Sequence, residues 1–115
     1  MHEYSIAYDI YATAKRAAED NFATKVKKVH VGVGELTMIN PEQVIFLFET
    51  MCEEESLFKD CKIECTSIPV KSECECGYSG NERFVCPDCG KLPVVKEGME
   101  ILVTNIEIEV EDEDD

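Results

Sequence analysis

Basic residues are scarce in this chain. It carries 11 Lys and Arg against 25 Asp and Glu over 115 residues, a formal charge of −14. Five of the negative charges form the terminal run Glu111, Asp112, Glu113, Asp114 and Asp115, and without them the charge is still −9. Phosphate backbones and anionic lipid surfaces are gripped by clustered Lys and Arg, so neither nucleic acid nor a membrane is an expected partner. Long apolar runs are missing too. The longest is Val44 to Phe48, far short of a bilayer-spanning helix. The first residues have no basic start and no apolar signal core, since Glu3 precedes any Lys and Asp9 interrupts. These absences point to a soluble, cytoplasmic protein. Low-complexity sequence is absent before the acidic tail, and 44% of residues are hydrophobic. That composition belongs to a folded domain of ordinary size, with room for one small appendage.

Cysteine, by contrast, is abundant: seven residues in 115. An odd count without a secretory start argues against a closed disulfide framework, and in a reducing compartment clustered cysteines point to metal.

The order of segments predicts an α/β (α+β) fold, a small three-stranded mixed sheet with two helices and an insert. Residues 5 to 20 read as a helix, with Ala7, Tyr8, Tyr11, Ala14, Ala17 and Ala18 at three- and four-residue spacings. Ser5 is its expected N-cap and Asn21 its stop. Val26 to Gly34 reads as a strand, with Val29, Val31 and Val33 on the buried face and His30 facing outward. Gly32 and Gly34 lack the third glycine and following helix of a phosphate loop, so they are read as points of close backbone approach. Asn40-Pro41-Glu42 is a helix start: a capping side chain, proline at the first position, then an acid. Val44, Leu47, Phe48 and Met51 form its stripe, with Phe46 at the margin, and Glu53 to Glu55 end it. Cys61 to Ser67 and Ile101 to Val110 are the remaining strands. The first puts Cys61, Ile63 and Cys65 on one face; the second puts Thr104, Ile106, Ile108 and Val110 together. The expected division is therefore an α/β domain at 1–72 and 98–115, with an insert at 73–97.

The insert holds four cysteines, Cys74-Glu75-Cys76-Gly77 and Cys86-Pro87-Asp88-Cys89-Gly90, and little periodic pattern. It is too small to build a core alone, so something else must hold it. CxxC followed by Gly lets two thiolates grip one ion while the glycine supplies a positive φ. Two such hairpins make a closed, structural four-cysteine zinc site like that of a zinc ribbon. The first half is irregular, CxC in place of CxxC, which leaves Cys65 as an alternative to Cys74. A redox CxxC would want a helix start after the motif, and Pro87-Asp88 before Gly90 offers none. Five acids against three bases within 73–97 argue against a nucleic-acid ribbon. Cys52, Cys61 and Cys65 sit on periodic faces and are read as buried and inert.

At the N-terminus, bulky His2 is expected to keep the initiator methionine in place. The Met1 amine, the His2 amide nitrogen and the His2 imidazole could then chelate one ion in a square plane, a geometry suited to Ni(II) or Cu(II). Read from these residues alone, a frayed end carrying a chance histidine accounts for them better.

A resemblance shifts that balance. Met1-His2-Glu3 followed by Ser5-Ile6-Ala7, the run Gly32-Val33-Gly34-Glu35-Leu36 and the late CxxCG pair together resemble the HypA/HybF family of nickel metallochaperones, in order and over essentially the whole chain. The resemblance implies Ni(II) carried at Met1, His2 and Glu3, and a structural Zn(II) on Cys74, Cys76, Cys86 and Cys89. It implies delivery of nickel to the [NiFe] hydrogenase large subunit with a HypB-type GTPase, and a second copy of the chain is a further candidate partner. The expected function is thus metal delivery and not catalysis: His2 and His30 are the only histidines, and a zinc saturated by four thiolates has no open position. The alternative is a zinc-stabilised protein–protein adaptor without nickel. The CxC pair and the acidic tail depart from the family's motifs.

Overall fold

The computed structural model describes residues 3–111. The candidate ligands Met1 and His2, and the end of the acidic tail, lie outside the described residues. Two helices and six strands follow in the order α1 (Glu3–Asp20), β1 (Ala23–Gly34), α2 (Pro41–Cys52), β2 (Lys62–Ile68), β3 (Lys71–Glu73), β4 (Ser79–Gly80), β5 (Val94–Glu97) and β6 (Ile101–Val110). They form two three-stranded sheets, ordered β2-β1-β6 and β4-β3-β5. No helix among the described residues is long and apolar enough to cross a membrane.

The chain divides into two compact units. The first takes the described residues up to Val31, then Ile39–Cys65, then those from Leu102 onward. Its core is Ala7, Ile10, Ala14 and Ala18 of α1, Val44 and Phe48 of α2, Val26, Val29 and Val31 of β1, and Phe58. The small alanines let α1 lie close against α2. Phe58, on a single 3₁₀ turn, stacks tilted against Tyr11 at 5.1 Å and edge-on against Phe48 at 6.1 Å. Both are geometries that aromatic pairs prefer.

The helix ends differ in how they form. α1 is already helical at Glu3, so Ser5 sits inside the first turn and is not the cap. An acid at that end complements the helix dipole. Asn21 does stop the helix: its Nδ2 donates to the Ala17 carbonyl at 2.7 Å, and Phe22 then takes a left-handed φ of 57°. The buried stripe centres on Ile10, while Tyr8 faces solvent. α2 starts as its sequence signals. The Asn40 side chain accepts the amides of Glu42 and Gln43 at 3.0 and 3.3 Å, and Pro41 occupies the first turn. Asn40→Ala should cost about 1 kcal/mol, seen as a lowered urea midpoint at constant m-value. The buried stripe is Val44, Phe48 and Cys52; Phe46 is exposed and does not widen it.

The larger sheet is mixed. Along β1, partners on β6 run backwards: Thr24 bonds to the Glu109 carbonyl, Thr104 to the His30 carbonyl, and the Gly34 amide to the Glu100 carbonyl. Partners on β2 run forwards, from Lys28 with Glu64 to the Glu35 amide with the Ile68 carbonyl. On β6 the half-buried residues are Ile101 and Val103, then Ile106 and Ile108. The alternation slips across Thr104 and Asn105, so Thr104 leaves the half-buried face, while Val110 is exposed at the end of the strand. His30 lies on the outward face as expected. Its Nε2 is 2.7 Å from Glu107 Oε2 and its Nδ1 is 3.5 Å from Glu64 Oε1, bridging all three strands. The hydrogen bond with His30 holds the Glu107 carboxyl below its ordinary range.

The second unit comprises Gly32–Met38 and Thr66–Ile101. Its small sheet pairs β3 antiparallel with β4 and with β5, in strands of two to four residues that carry no readable alternation. Ser72 is buried there, and its hydroxyl donates to the carbonyls of Gly80 and Glu82. Gly34 lets backbones meet closely: a Cβ there would lie 2.3 Å from the Gly98 carbonyl oxygen. Gly34→Ala must displace main chain, at a cost of roughly 1–3 kcal/mol. A thermal midpoint within a degree of wild type would contradict the close approach.

Candidate metal centre

The two cysteine hairpins are variations on one turn. In the second, the Gly90 amide donates to the Cys86 carbonyl at 2.9 Å and the Cys86 amide donates to the Lys91 carbonyl at 2.7 Å. In the first, the Gly77 amide donates to the Cys74 carbonyl at 2.9 Å and the Cys74 amide to the Tyr78 carbonyl at 2.9 Å. Gly77 and Gly90 both have positive φ, 103° and 78°, and open space where a Cβ would stand. Backbone conformation, not room, demands glycine at these positions. The CxC half is therefore the same closed loop with one residue fewer between its cysteines. Cys76-Gly77 takes the place that Cys89-Gly90 takes in the other.

These turns aim four sulfurs at one point. The Sγ atoms of Cys74, Cys76, Cys86 and Cys89 all lie within 4.8 Å of one another, with Cys74–Cys89 and Cys76–Cys86 each at 3.5 Å. Four thiolates on a tetrahedral zinc at about 2.3 Å would sit about 3.8 Å apart. The donor set and its spacing fit that ion. Cys74 and Cys86 are buried, whereas Cys76 and Cys89 are exposed. Cys65, the alternative to Cys74, lies half-buried on β2 and is not in the group.

The electrostatics of the cluster invite a cation. Burial raises the Cys86 thiol, but the amides of Cys89 and Asp88 and the neighbouring thiols outweigh it and bring Cys86 down to about 7. At Cys89 the Lys91 amide favours the thiolate, yet the crowding of Cys74, Cys76 and Cys86 pushes it up to about 12. One sulfur, Cys86, is thus held near neutrality while Cys76 and Cys89 are pushed up. Only a cation lets all four ionise together. Around the sulfurs, Phe84, Val85 and Leu92 are exposed, and the Arg83 guanidinium lies 4.7 Å from the Phe84 ring centre.

Of the N-terminal triplet, only Glu3 is described. Its Oε2 accepts the Asn40 amide at 3.3 Å, which ties the start of α1 to the cap of α2. No local pattern signals that contact, because its partners are 37 residues apart.

Over residues 1–108 the chain matches the family model described as hydrogenase/urease nickel incorporation, metallochaperone, hypA. Hydrogenase maturation factor HypA of Methanocella arvoryzae is 40% identical over 114 residues, covering 96% of this chain and 100% of its own length. The factor of the same name from Methanosarcina barkeri is 36% identical, covering 99% and 100%. Hydrogenase/urease maturation factor HypA of Helicobacter pylori is 29% identical, covering 94% and 97%. The solution structure of the Ni metallochaperone HypA from Helicobacter pylori superposes with a TM-score of 0.75 at 29% identity, over 96% of this chain and 100% of that one.

Proposed function

The chain belongs to the HypA family of hydrogenase/urease nickel-incorporation metallochaperones, and from that premise we propose that it carries Ni(II) at an N-terminal site of Met1, His2 and Glu3, the first two as ligands and Glu3 in support, and delivers it to a [NiFe] hydrogenase large subunit. Zn(II) is the resident ion of Cys74, Cys76, Cys86 and Cys89. It closes the second unit and takes no part in chemistry, because four thiolates leave no coordination site for water or substrate. Nickel is cargo. A HypB-type GTPase is the partner in delivery, a second copy of the chain is a candidate partner in assembly, and the work is done in the cytoplasm. The protein is not an enzyme.

The observation that carries this reading is the convergence of the four sulfurs within 4.8 Å on a chain that matches the nickel-incorporation family along 108 residues. The Glu3 contact with the Asn40 amide supports a subsidiary role for that carboxylate: it orders the start of α1, next to His2, and is not itself a ligand. Nickel titrated into zinc-saturated protein tests the reading. A chaperone binds one further equivalent without releasing zinc, and passes it to hydrogenase large subunit prepared without nickel. An adaptor binds none, and that result would return the chain to the zinc-stabilised interaction module.

A further inference from the structure

Nickel that passes directly from one protein to another needs the ligands of both within bonding reach of the ion at once. Whatever receives it from Met1 and His2 must therefore close over the start of α1, which begins at Glu3. Two large side chains stand exposed there. Tyr4 is 63% exposed and Tyr8 51%. They are four residues apart, so they share one face of the helix. At a rise of about 1.5 Å per residue, both lie within about 8 Å of Glu3 along the axis.

Tyr8 is braced from behind. Its ring lies 6.3 Å from that of Tyr11, which lies 5.1 Å from Phe58, which meets Phe48 in the core at 6.1 Å. An aromatic side chain held in this way loses little freedom when a partner covers it, which is why tyrosine is an effective anchor at interfaces. The charge around the pair has one sign. Residues 3–14 carry Glu3 and Asp9, α2 carries Glu42 and Glu49, and neither stretch has a Lys or Arg. The first Lys of α1, Lys15, is 3.6 Å from Glu55. The Glu3 contact with the Asn40 amide brings the starts of both helices together.

We propose that Tyr4 and Tyr8 form the docking stripe on which the nickel-free hydrogenase large subunit seats to take the ion, through an apolar pocket rimmed by Lys and Arg. The inference rests on the nickel reading, because cargo held at residues 1 and 2 decides which surface a receiver must cover. The tyrosines have no part in holding nickel. They supply apolar area and orientation, while the acids of the two helices attract the basic rim. During transfer Ni(II) exchanges ligands without changing oxidation state, and the nitrogens it leaves take protons back from solvent.

Binding of the zinc-saturated full chain to large subunit prepared without nickel tests the stripe. Tyr8→Ala should weaken the complex about tenfold, and the Tyr4→Ala, Tyr8→Ala double variant about 100-fold. Tyr4→Phe and Tyr8→Phe, which keep the rings, should bind within about threefold of wild type. Phe22→Ala removes an aromatic that is 82% exposed just past the far end of α1, and should bind as wild type. Affinity should fall as salt is raised from about 0.05 M to about 0.5 M. Calorimetry on each variant alone should show unchanged nickel affinity. If the alanine variants fold poorly, a photoreactive benzoyl-phenylalanine at position 8 replaces them. It should cross-link to the large subunit, and the same group at position 22 should not. The two readings fail differently. A wild-type chain that takes up no nickel overturns the nickel reading and this proposal with it. Normal nickel uptake with wild-type affinity for the large subunit in the folded double variant overturns the docking stripe alone. So does the absence of any complex with wild type, or cross-linking from position 22 and not from position 8. Loss of binding to the HypB-type GTPase, with the large-subunit complex intact, would give the stripe to the GTPase and overturn the proposal.

Discussion

Replacing Cys86 and Cys89 together by serine should abolish zinc binding and unfold the second unit. The physical reason is the poverty of that unit's core. Between Thr66 and Ile101 the buried residues are Ser72, Cys74, Cys86, Pro93 and Gly98, none of them a large apolar side chain, and two of them are proposed ligands. Strands of two to four residues cannot offset the entropy of ordering such a segment. Zinc can: structural zinc in small cysteine domains contributes apparent free energies of about 10–16 kcal/mol near neutral pH, and that binding energy is folding energy. The effect should be local. Amide exchange should accelerate at Cys74, Gly77, Cys86 and Gly90, whose hydrogen bonds close the two turns. The amides of α1 and α2, packed around Phe48 and Phe58, should keep their protection. A chelator strong enough to strip zinc from wild type should reproduce the same pattern. One zinc equivalent still bound by the double variant, or unchanged protection at those four amides, would show that the ion is held elsewhere.

The cluster was legible in the sequence because its signal is local. A cysteine, a short spacer, a second cysteine and a glycine specify a turn whatever surrounds them. The missing spacer residue in Cys74-Glu75-Cys76 looked like a defect, yet the backbone absorbs it in a turn one residue tighter. The start of α2 and the bounds of β6 were legible for the same reason. Asn40, Pro41 and Glu42 act within one turn, and β6 runs through ten residues flanked by acids and a glycine-containing turn. Signals that depend on distant partners were not legible. β4 is two residues long and exists because Ser72 and Glu73 pair with Gly80 and Ser79. The slip of alternation at Thr104 follows from how β6 meets β1, where the Thr104 hydroxyl bonds to the His30 carbonyl 74 residues away. His30 was expected on the surface, but its place between Glu64 and Glu107 needs all three strands assembled. Cys52 and Cys61 were read as inert because periodicity reports burial. It cannot report that the two residues line one pocket.

His2→Ala should cost more than about 100-fold in nickel affinity while leaving zinc content and fold unchanged. Loss of a mere outer-shell partner costs about 10–100-fold at metal sites, and an imidazole ligand contributes more. Zinc should be indifferent, because its proposed ligands lie on the hairpins of the second unit. The proposed nitrogen set also fixes a pH dependence. Nickel must displace protons from the Met1 amine, with an ordinary pKa of about 7.7–8.0, and from the His2 imidazole, at about 6.5. Protons compete harder as pH falls, so affinity should weaken progressively from about pH 8 to about pH 6. A chain extended or acetylated ahead of Met1 loses the amine and should bind nickel as poorly as the His2 variant. Glu3→Gln separates ligand from support. The amide oxygen of glutamine can still accept the Asn40 amide that Glu3 accepts at 3.3 Å, so the variant should bind nickel within about tenfold of wild type if the carboxylate only orders the helix start. Calorimetry decides among these outcomes. Full affinity in His2→Ala, or affinity flat between pH 8 and pH 6 in wild type, would place nickel away from the N-terminal nitrogens. Loss in Glu3→Gln equal to that in His2→Ala would make the carboxylate a ligand in its own right.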